Sequence, residues 1–205
     1  LPIPIVHGMT LGELALMVNG EGWLPGSRKC DLAVIKCKNY THQTRYQLPI
    51  PPSPNLPNMK SIYLYPSTCF FEATPVSLGR GTSLPFQVYG HPNMTGYNYS
   101  FTPRSIPGAK NPPQLNKLCH GVDLSNMSDE EIWKRGVDLT YVIDAYRNLN
   151  LDDHFFRPFF ELLVGRDYVR KMIKEGKSAD EIKAMWKGDV EKFKAQRKPY
   201  LLYEE

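Results

Sequence analysis

Polar and apolar positions divide the chain into a mixed first two thirds and a helical last third. Thr10-Leu-Gly-Glu13 has the pattern of a capping box, in which each side chain bonds the other residue's backbone amide. It predicts a helix that ends near Asn19-Gly20. Alternation of polar and apolar residues predicts a strand over 31–38, and further short strands are predicted over 84–89, 99–102 and 121–124.

A proline-rich run lies between Gln47 and Asn58. Proline cannot donate to a β-ladder and it restricts the backbone, so the run is either a linker or a stiff wall of a pocket. Ser53-Pro-Asn55 sets polar groups into this stiff backbone, which favours the pocket. Asn58 is a candidate cap for a short helix that Pro66 is expected to interrupt.

The last third has helical periodicity. Ser128-Asp-Glu-Glu131 is a second capping box, and the apolar residues that follow predict one continuous helix to Tyr146. Two shorter amphipathic helices are predicted over 167–175 and 178–193, with Trp186 and Phe193 on one core-facing side. We therefore predict an α+β fold. A small mixed sheet with proline-rich loops fills residues 1–127, and the C-terminal third, residues 128–205, is helical.

Composition narrows the classes of function. With 205 residues and 41% hydrophobic content, the chain is long enough for a real core. A net charge of +4 without a dense basic block argues against a nucleic-acid partner. The sequence has no run of about 18 apolar residues, so no membrane span is predicted. Among the four cysteines, free buried thiols are favoured over bridges, and the loose spacing of Cys30, Cys37 and His42 does not support zinc. We expect no metal and no cofactor.

The most unusual chemistry lies between Tyr65 and Phe86. Glu72 follows two phenylalanines, and an apolar setting would raise its pKa enough for it to act as an acid near neutral pH. An alternative of equal weight is that Glu72 pairs with Arg80 and only fixes the loop. Gly79-Arg-Gly81 can turn tightly and aim one planar donor at a carboxylate. The sequence lacks the lysine of a phosphate-binding loop, so a nucleotide triphosphate site is not supported. It also lacks the Gly-x-Ser-x-Gly elbow, which argues against a serine hydrolase.

Several stretches, taken in order, resemble the NamZ-type exo-β-N-acetylmuramidase family, formerly catalogued only as a domain of unknown function. These are Pro4-Ile-Val-His-Gly-Met-Thr-Leu-Gly-Glu13, Pro52-Ser-Pro-Asn-Leu-Pro57, the Tyr65 to Phe86 segment, Phe101-Thr-Pro103, Cys119-His-Gly-Val122 and Tyr200-Leu-Leu-Tyr203. Two departures concern the polarity of the site. Glu72-Ala-Thr-Pro75 stands where the family usually has Glu-Gly-Thr-Asn, and Leu78 fills a position that is often acidic or small.

The resemblance implies a two-part bacterial enzyme that removes terminal N-acetylmuramic acid from the non-reducing ends of peptidoglycan fragments outside the cytoplasm. Its first half, similar to a Rossmann-like domain, would supply the main catalytic glutamate, and this chain would be the single C-terminal domain that forms the other wall of the cleft. That missing half and muropeptides are then the expected partners. Glu72 is the candidate catalytic residue in this chain. The candidate substrate-binding residues, all within or beside these motifs, are His7, Ser53, Asn55, Thr74, Arg80, Thr82 and His120.

Other interpretations stay open. His91 is a further candidate, although a structural role is the commoner one for any single histidine. The 12 tyrosines and 9 phenylalanines also suit a carbohydrate- or muropeptide-binding module without chemistry. A purely structural domain would instead show exposed apolar surface at its N-terminal end, where the rest of the protein docks.

Overall fold

The computed structural model describes residues 2–205, and the contacts within it divide the chain into two units. One unit comprises residues 2–47 with Ala184–Glu205, and the other is Leu48–Lys183. This division differs from the change of character predicted at residue 128, because the sheet and the helices that follow it share one core. Within the described residues, no helix combines the length and hydrophobicity needed to cross a membrane.

The helices and strands follow one another in an α+β order, which confirms the predicted class. They are α1 (Leu11–Gly20), α2 (Met59–Thr68), β1 (Val88–His91), β2 (Tyr99–Phe101), β3 (Cys119–Asp123), α3 (Asp129–Arg135), α4 (Thr140–Leu149), α5 (Phe160–Val164), α6 (Tyr168–Lys174) and α7 (Ala179–Arg197). Short 3-10 turns cover Pro25–Ser27, Cys69–Ala73, Asp152–His154 and Lys198–Tyr200.

In the unit formed by residues 2–47 and Ala184–Glu205, α1 begins as predicted. The Thr10 hydroxyl accepts from the Glu13 amide and the Glu13 carboxylate accepts from the Thr10 amide, which completes the capping box. The Glu13 side chain is fully buried and also accepts from His42 Nε2 at 3.0 Å and from the Leu202 amide at 2.6 Å. The Glu13 carboxylate therefore links the start of α1 to His42 and to Leu202 near the end of the chain.

The strand predicted over 31–38 is not formed among the described residues. Residues 28–37 have no regular secondary structure, and none of the described residues pairs with them as a strand. Alternation of side chains is only half of what a strand requires, because the backbone groups must also find a neighbouring strand.

The unit Leu48–Lys183 contains the sheet. The strand order is β1-β3-β2 and both pairings are antiparallel. The prediction of a mixed sheet is therefore wrong. β2 and β3 confirm their predictions, whereas β1 starts later than expected. Phe86 has φ 59 and its amide bonds Leu78 O, so the chain turns there before it can extend.

Two helix predictions in this unit need correction. α2 has the predicted Asn58 cap but continues through Pro66 to Thr68, whose buried hydroxyl donates to Leu64 O at 3.0 Å within the last turn. The continuous helix predicted from Ser128 to Tyr146 is two helices. α3 ends at Gly136 (φ 63, ψ −136), and the Ser67 hydroxyl holds the break by donating to Gly136 O and accepting from the Asp138 amide.

The two helices predicted over 167–175 and 178–193 are confirmed, although α7 continues to Arg197. α6 lies within the predicted 167–175, and α7 starts at the Ser178–Glu181 cap. Phe193 is buried, whereas Trp186 is only half-buried. The four cysteines are free, but Cys30 and Cys37 are exposed, so the prediction of buried thiols holds only for Cys69 and Cys119.

Candidate functional site

The Glu72 carboxyl lies at the edge of the core of the Leu48–Lys183 unit. The 3-10 turn Cys69–Ala73 buries the neighbouring side chains Phe70, Phe71 and Ala73 almost completely, which leaves Glu72 half-buried. Phe71 stacks on Tyr89 with 4.8 Å between ring centroids, so the turn is held firmly against the sheet. Burial raises the pKa of Glu72, and the positive charge of Arg80 offsets part of that rise. The predicted direction is confirmed.

Arg80 stands between two glycines that no other residue could replace without strain. Gly79 has φ 78 and Gly81 has φ 83, and a Cβ atom at either position would collide with a backbone carbonyl, that of Leu84 or that of Arg104. The guanidinium Nε is buried and no hydrogen-bond acceptor faces it. Within residues 2–205, Arg80 forms no ion pair with Glu72 or any other carboxylate. The Arg80 charge therefore lowers the pKa of Glu72, while the guanidinium itself has no carboxylate partner among these residues.

The hydroxyls of Thr74 and Thr82 are committed to the shape of this segment. Thr74 Oγ1 donates to Phe71 O at 2.9 Å and accepts from the Val76 amide at 3.2 Å. Thr82 Oγ1 donates to Gly79 O at 2.7 Å and accepts from the Leu84 amide at 3.0 Å. Both threonines close turns on either side of the Gly79-Arg80-Gly81 stretch, which is a positioning role.

The Ser53–Asn55 stretch reaches the same loop as the arginine. Asn55 Nδ2 donates to Gly108 O at 3.0 Å, and Ser53 Oγ accepts from the Asn55 amide at 3.2 Å. The Arg104 amide in turn donates to Gly81 O at 2.9 Å. Residues 104–108 thus contact both stretches, which ties the proline-rich run to the body of this unit.

His120 lies on β3 in a row of polar side chains. Its cross-strand neighbours are His91 on β1 and Ser100 on β2, so the three residues share one face of the sheet. Both histidines are half-buried. Burial, with a smaller contribution from the charge of Lys117, lowers the pKa of His91. His91 Nδ1 accepts from the Asn93 amide at 3.1 Å, so the neutral ring has its proton on Nε2 and can donate one hydrogen bond from there.

His7 belongs to the unit formed by residues 2–47 and Ala184–Glu205, whereas the other six binding candidates belong to Leu48–Lys183. Its Nδ1 accepts from the Met9 amide at 3.2 Å, and its carbonyl accepts from Arg197 Nη1 at 3.0 Å. Burial and the nearby Arg197 charge lower the pKa of His7. The described residues bring no three His, Cys, Asp or Glu side chains together in a way that could hold a metal ion.

Tyr65 lies near Glu72, although it was not among the predicted site residues. The charge of Glu72 contributes, after burial, to raising the pKa of the Tyr65 hydroxyl, and the Tyr65 ring lies 5.1 Å from that of Phe86. Tyr65, Cys69 and Glu72 are spaced i, i+4, i+7, the spacing that brings side chains to one face of a helix. This spacing could have indicated that Tyr65 lies near Glu72. It does so only if the helix continues past Pro66, where the sequence predicted an interruption.

Comparison with known proteins places the chain among peptidoglycan-active relatives. Residues 63–203 match the family described as exo-beta-N-acetylmuramidase NamZ, C-terminal, and residues 1–60 match its N-terminal counterpart. The peptidoglycan beta-N-acetylmuramidase NamZ of Bacillus subtilis (strain 168) is 34% identical over 98% of this chain. The chain spans 52% of that relative.

Two crystal structures of DUF1343 family proteins from Bacteroides fragilis NCTC 9343 are also similar. One has a TM-score of 0.98 and 83% identity over all of this chain, and the other has a TM-score of 0.74 and 25% identity over 98% of it. This chain covers 58% of each of those chains.

Proposed function

Because the chain belongs to the exo-β-N-acetylmuramidase NamZ family, we propose that it forms the substrate-binding part of a peptidoglycan-degrading glycosidase. In this proposal the protein releases terminal N-acetylmuramic acid from the non-reducing ends of peptidoglycan fragments. The substrate is a cell-wall polymer, so the proposal also places the protein outside the bacterial cytoplasm. This chain supplies one wall of the cleft, and the rest of the protein supplies the other wall with the main acid/base group.

The observation that carries the proposal is the unoccupied fork of Arg80. N-acetylmuramic acid differs from N-acetylglucosamine by a lactyl ether, which adds a carboxylate. A guanidinium binds a carboxylate through two parallel charge-assisted hydrogen bonds. Arg80 is set in a rigid turn by Gly79 and Gly81 and has no ion-pair partner among residues 2–205, so its donors are available to that group.

Glu72 supplies a carboxyl beside this anion-binding group. Glycoside hydrolysis commonly uses two carboxyl groups that flank the scissile bond, one of them protonated at the working pH. The raised pKa of Glu72 keeps more of its carboxyl protonated than in an exposed glutamate. We assign Glu72 the supporting acid role in the cleft, with the principal group coming from the other part of the protein.

A module that binds muropeptides without chemistry is the competing function. The discriminating measurement is the affinity of the isolated 205-residue chain for N-acetylmuramic acid. A cleft wall that needs its other half should bind the sugar weakly alone, whereas an independent binding module should reach its full affinity alone.

The proposal is tested with Arg80→Ala in the longer protein. One charge-assisted bidentate contact is worth about 1.5 to 3 kcal/mol, which corresponds to about one to two decades in relative specificity. Action on an N-acetylmuramide should fall by that factor, while any action on the matching N-acetylglucosaminide stays unchanged. Arg80→Lys should recover only part of the loss, because an ammonium lacks the fork.

Arg157→Ala is the matched control, since Arg157 is an exposed arginine of the same unit. It should leave both activities unchanged. Thermal melts accompany the kinetics. If Arg80→Ala lowers activity on both sugars equally and also lowers the melting temperature, Arg80 is a structural residue and the clamp assignment is wrong.

A further inference from the structure

Residues 31–36, Asp-Leu-Ala-Val-Ile-Lys, contain a short apolar run that pairs with no strand among the described residues. Among residues 2–205, none of their backbone amides or carbonyls bonds another backbone group. The run is nevertheless fixed at both ends. The Cys30 amide donates to Asn19 Oδ1 at 2.8 Å, and the Cys37 amide donates to the Tyr203 hydroxyl at 2.9 Å.

The two faces of the run differ. Val34 packs against α1 so closely that a Cβ atom on Gly12 would collide with the Val34 side chain. On the opposite face, the Ile35 side chain is 96% exposed. An apolar run of four residues, Leu32 to Ile35, is the pattern of a strand that is covered on both faces. One cover, α1, is present in this chain.

Such a strand needs hydrogen-bonding neighbours, since an exposed, apolar, unpaired strand is an aggregation site. Residues 1–60 match the N-terminal family model, although the relatives extend well beyond the length of this chain. Further exposed apolar side chains lie in the same residues 2–47, at Ile5, Val6, Leu11 and Tyr46.

We propose that residues 31–36 are a strand of the N-terminal family domain, paired edge to edge with the part of that domain that lies outside this chain. Ile35 is buried against that part, and Val34 keeps its place on α1. The interface is thus a β-sheet completed within one polypeptide. The proposal rests on family membership and on the geometry of residues 31–36, and it is independent of the glycosidase assignment.

Hydrogen exchange tests the pairing without any measurement of activity. The amides of residues 32–36 should exchange rapidly in the 205-residue chain. In the longer protein they should exchange at least about 100-fold more slowly, because strand pairing protects them. Equal, rapid exchange in both proteins would overturn the proposal. Slow exchange in the 205-residue chain, together with a dimer in solution, would assign the edge to a second copy and overturn it as well.

A charge at position 35 tests the buried face. Ile35→Asp should lower the melting temperature of the longer protein and leave that of the 205-residue chain unchanged. Leu162→Asp is the matched control, because Leu162 is 82% exposed in α5, and it should change neither protein. If Ile35→Asp prevents folding of the longer protein, the milder Ile35→Thr should still give the selective loss. An equal effect of Ile35→Thr on both proteins would contradict burial against the absent part.

Discussion

Glu13 and Glu72 are the same side chain in two opposite surroundings. Burial alone would raise the pKa of Glu13, but hydrogen bonds from the Thr10 and Leu202 amides, His42 and the Thr10 hydroxyl outweigh it and hold that pKa below its usual value of 4.5. Burial also raises the pKa of Glu72, and there only the Arg80 charge opposes it. Glu13 is therefore a satisfied structural carboxylate, and Glu72 is one whose ionisation costs stability.

These surroundings predict stability changes of opposite sign. Glu13 has a lowered pKa in the folded state, so its contribution is present above pH 4.5 and is lost as the pH falls through the folded pKa. Glu13→Gln should lower the melting temperature by at least about 4 °C at about pH 7, because an amide cannot accept all these bonds, and by less at about pH 3. Glu72→Gln should raise the melting temperature at pH 7 and leave it unchanged at pH 3.

Thermal melts of the two variants and the parent protein at both pH values measure this contrast. Each variant serves as the control for the other, since both replace glutamate by glutamine. A lowered melting temperature for Glu72→Gln at pH 7 would show that the Glu72 carboxylate has a stabilising partner, which is the internal-pairing alternative.

At the scale of single residues, the sequence could predict what the backbone requires and the direction of the Glu72 pKa shift. The positive φ values of Gly79 and Gly81 and the raised pKa of Glu72 follow from neighbouring residue types. Whether Arg80 pairs with Glu72 could not be predicted, because that depends on where the two side chains point after the turn closes. The assignment of Thr74 and Thr82 to turns depends on the same tertiary detail.

At the scale of elements, capped helix starts and the end of α1 at Gly20 were predictable, whereas the break between α3 and α4 was not. Four helix-capping side chains each accept a hydrogen bond from the backbone amide three residues later, as their sequence patterns predict. They are the hydroxyls of Thr10, Ser128 and Ser178 and the side-chain oxygen of Asn58. The break between α3 and α4 is instead held by Ser67, which lies far away in the sequence. Local periodicity carries no information about such a distant contact, which is why the continuous helix was wrong.

Two glycines that both have open space for a Cβ atom show the backbone requirement of that break. Gly136 has φ 63 and ψ −136, and Gly188 has ordinary helical geometry inside α7; a Cβ atom at either site meets no atom within 4 Å. Gly136→Ala should cost about 1 to 3 kcal/mol through backbone strain. Gly188→Ala should instead stabilise the protein by up to about 1 kcal/mol, because alanine favours the helix.

Equilibrium unfolding in urea measures both changes. The two substitutions add the same methyl group, so any difference in sign comes from the backbone. An unchanged midpoint for Gly136→Ala would mean that the link between α3 and α4 relaxes freely, and that Ser67 does not hold it.

At the scale of the whole molecule, the two compact units are each explained by their own anchors. Residues 2–47 and Ala184–Glu205 are joined through Glu13, whose carboxylate binds the Leu202 amide. Leu48–Lys183 contains a buried aromatic cluster formed by Phe70, Phe155, Phe156 and Phe160. Sequence patterns indicated the α+β class, but the joining of two remote segments into one unit depends on contacts about 190 residues apart in the chain, such as that of Glu13 with Leu202.

The 205-residue chain holds too few catalytic groups to hydrolyse a glycoside by itself. The site described in residues 2–205 offers one carboxyl of raised pKa beside one free guanidinium, while glycoside hydrolysis commonly needs two carboxyl groups about the scissile bond. The chain spans 52% of its Bacillus relative. In the function proposed above, the principal acid/base group comes from the other part of the protein. The purified 205-residue chain should therefore show no hydrolysis of a chromogenic N-acetylmuramide, whereas the longer protein should hydrolyse it. Glu72→Gln in the longer protein should lower turnover without abolishing it, because Glu72 has the supporting role. Measurable turnover by the 205-residue chain alone would place both catalytic groups within it and refute the division of the site.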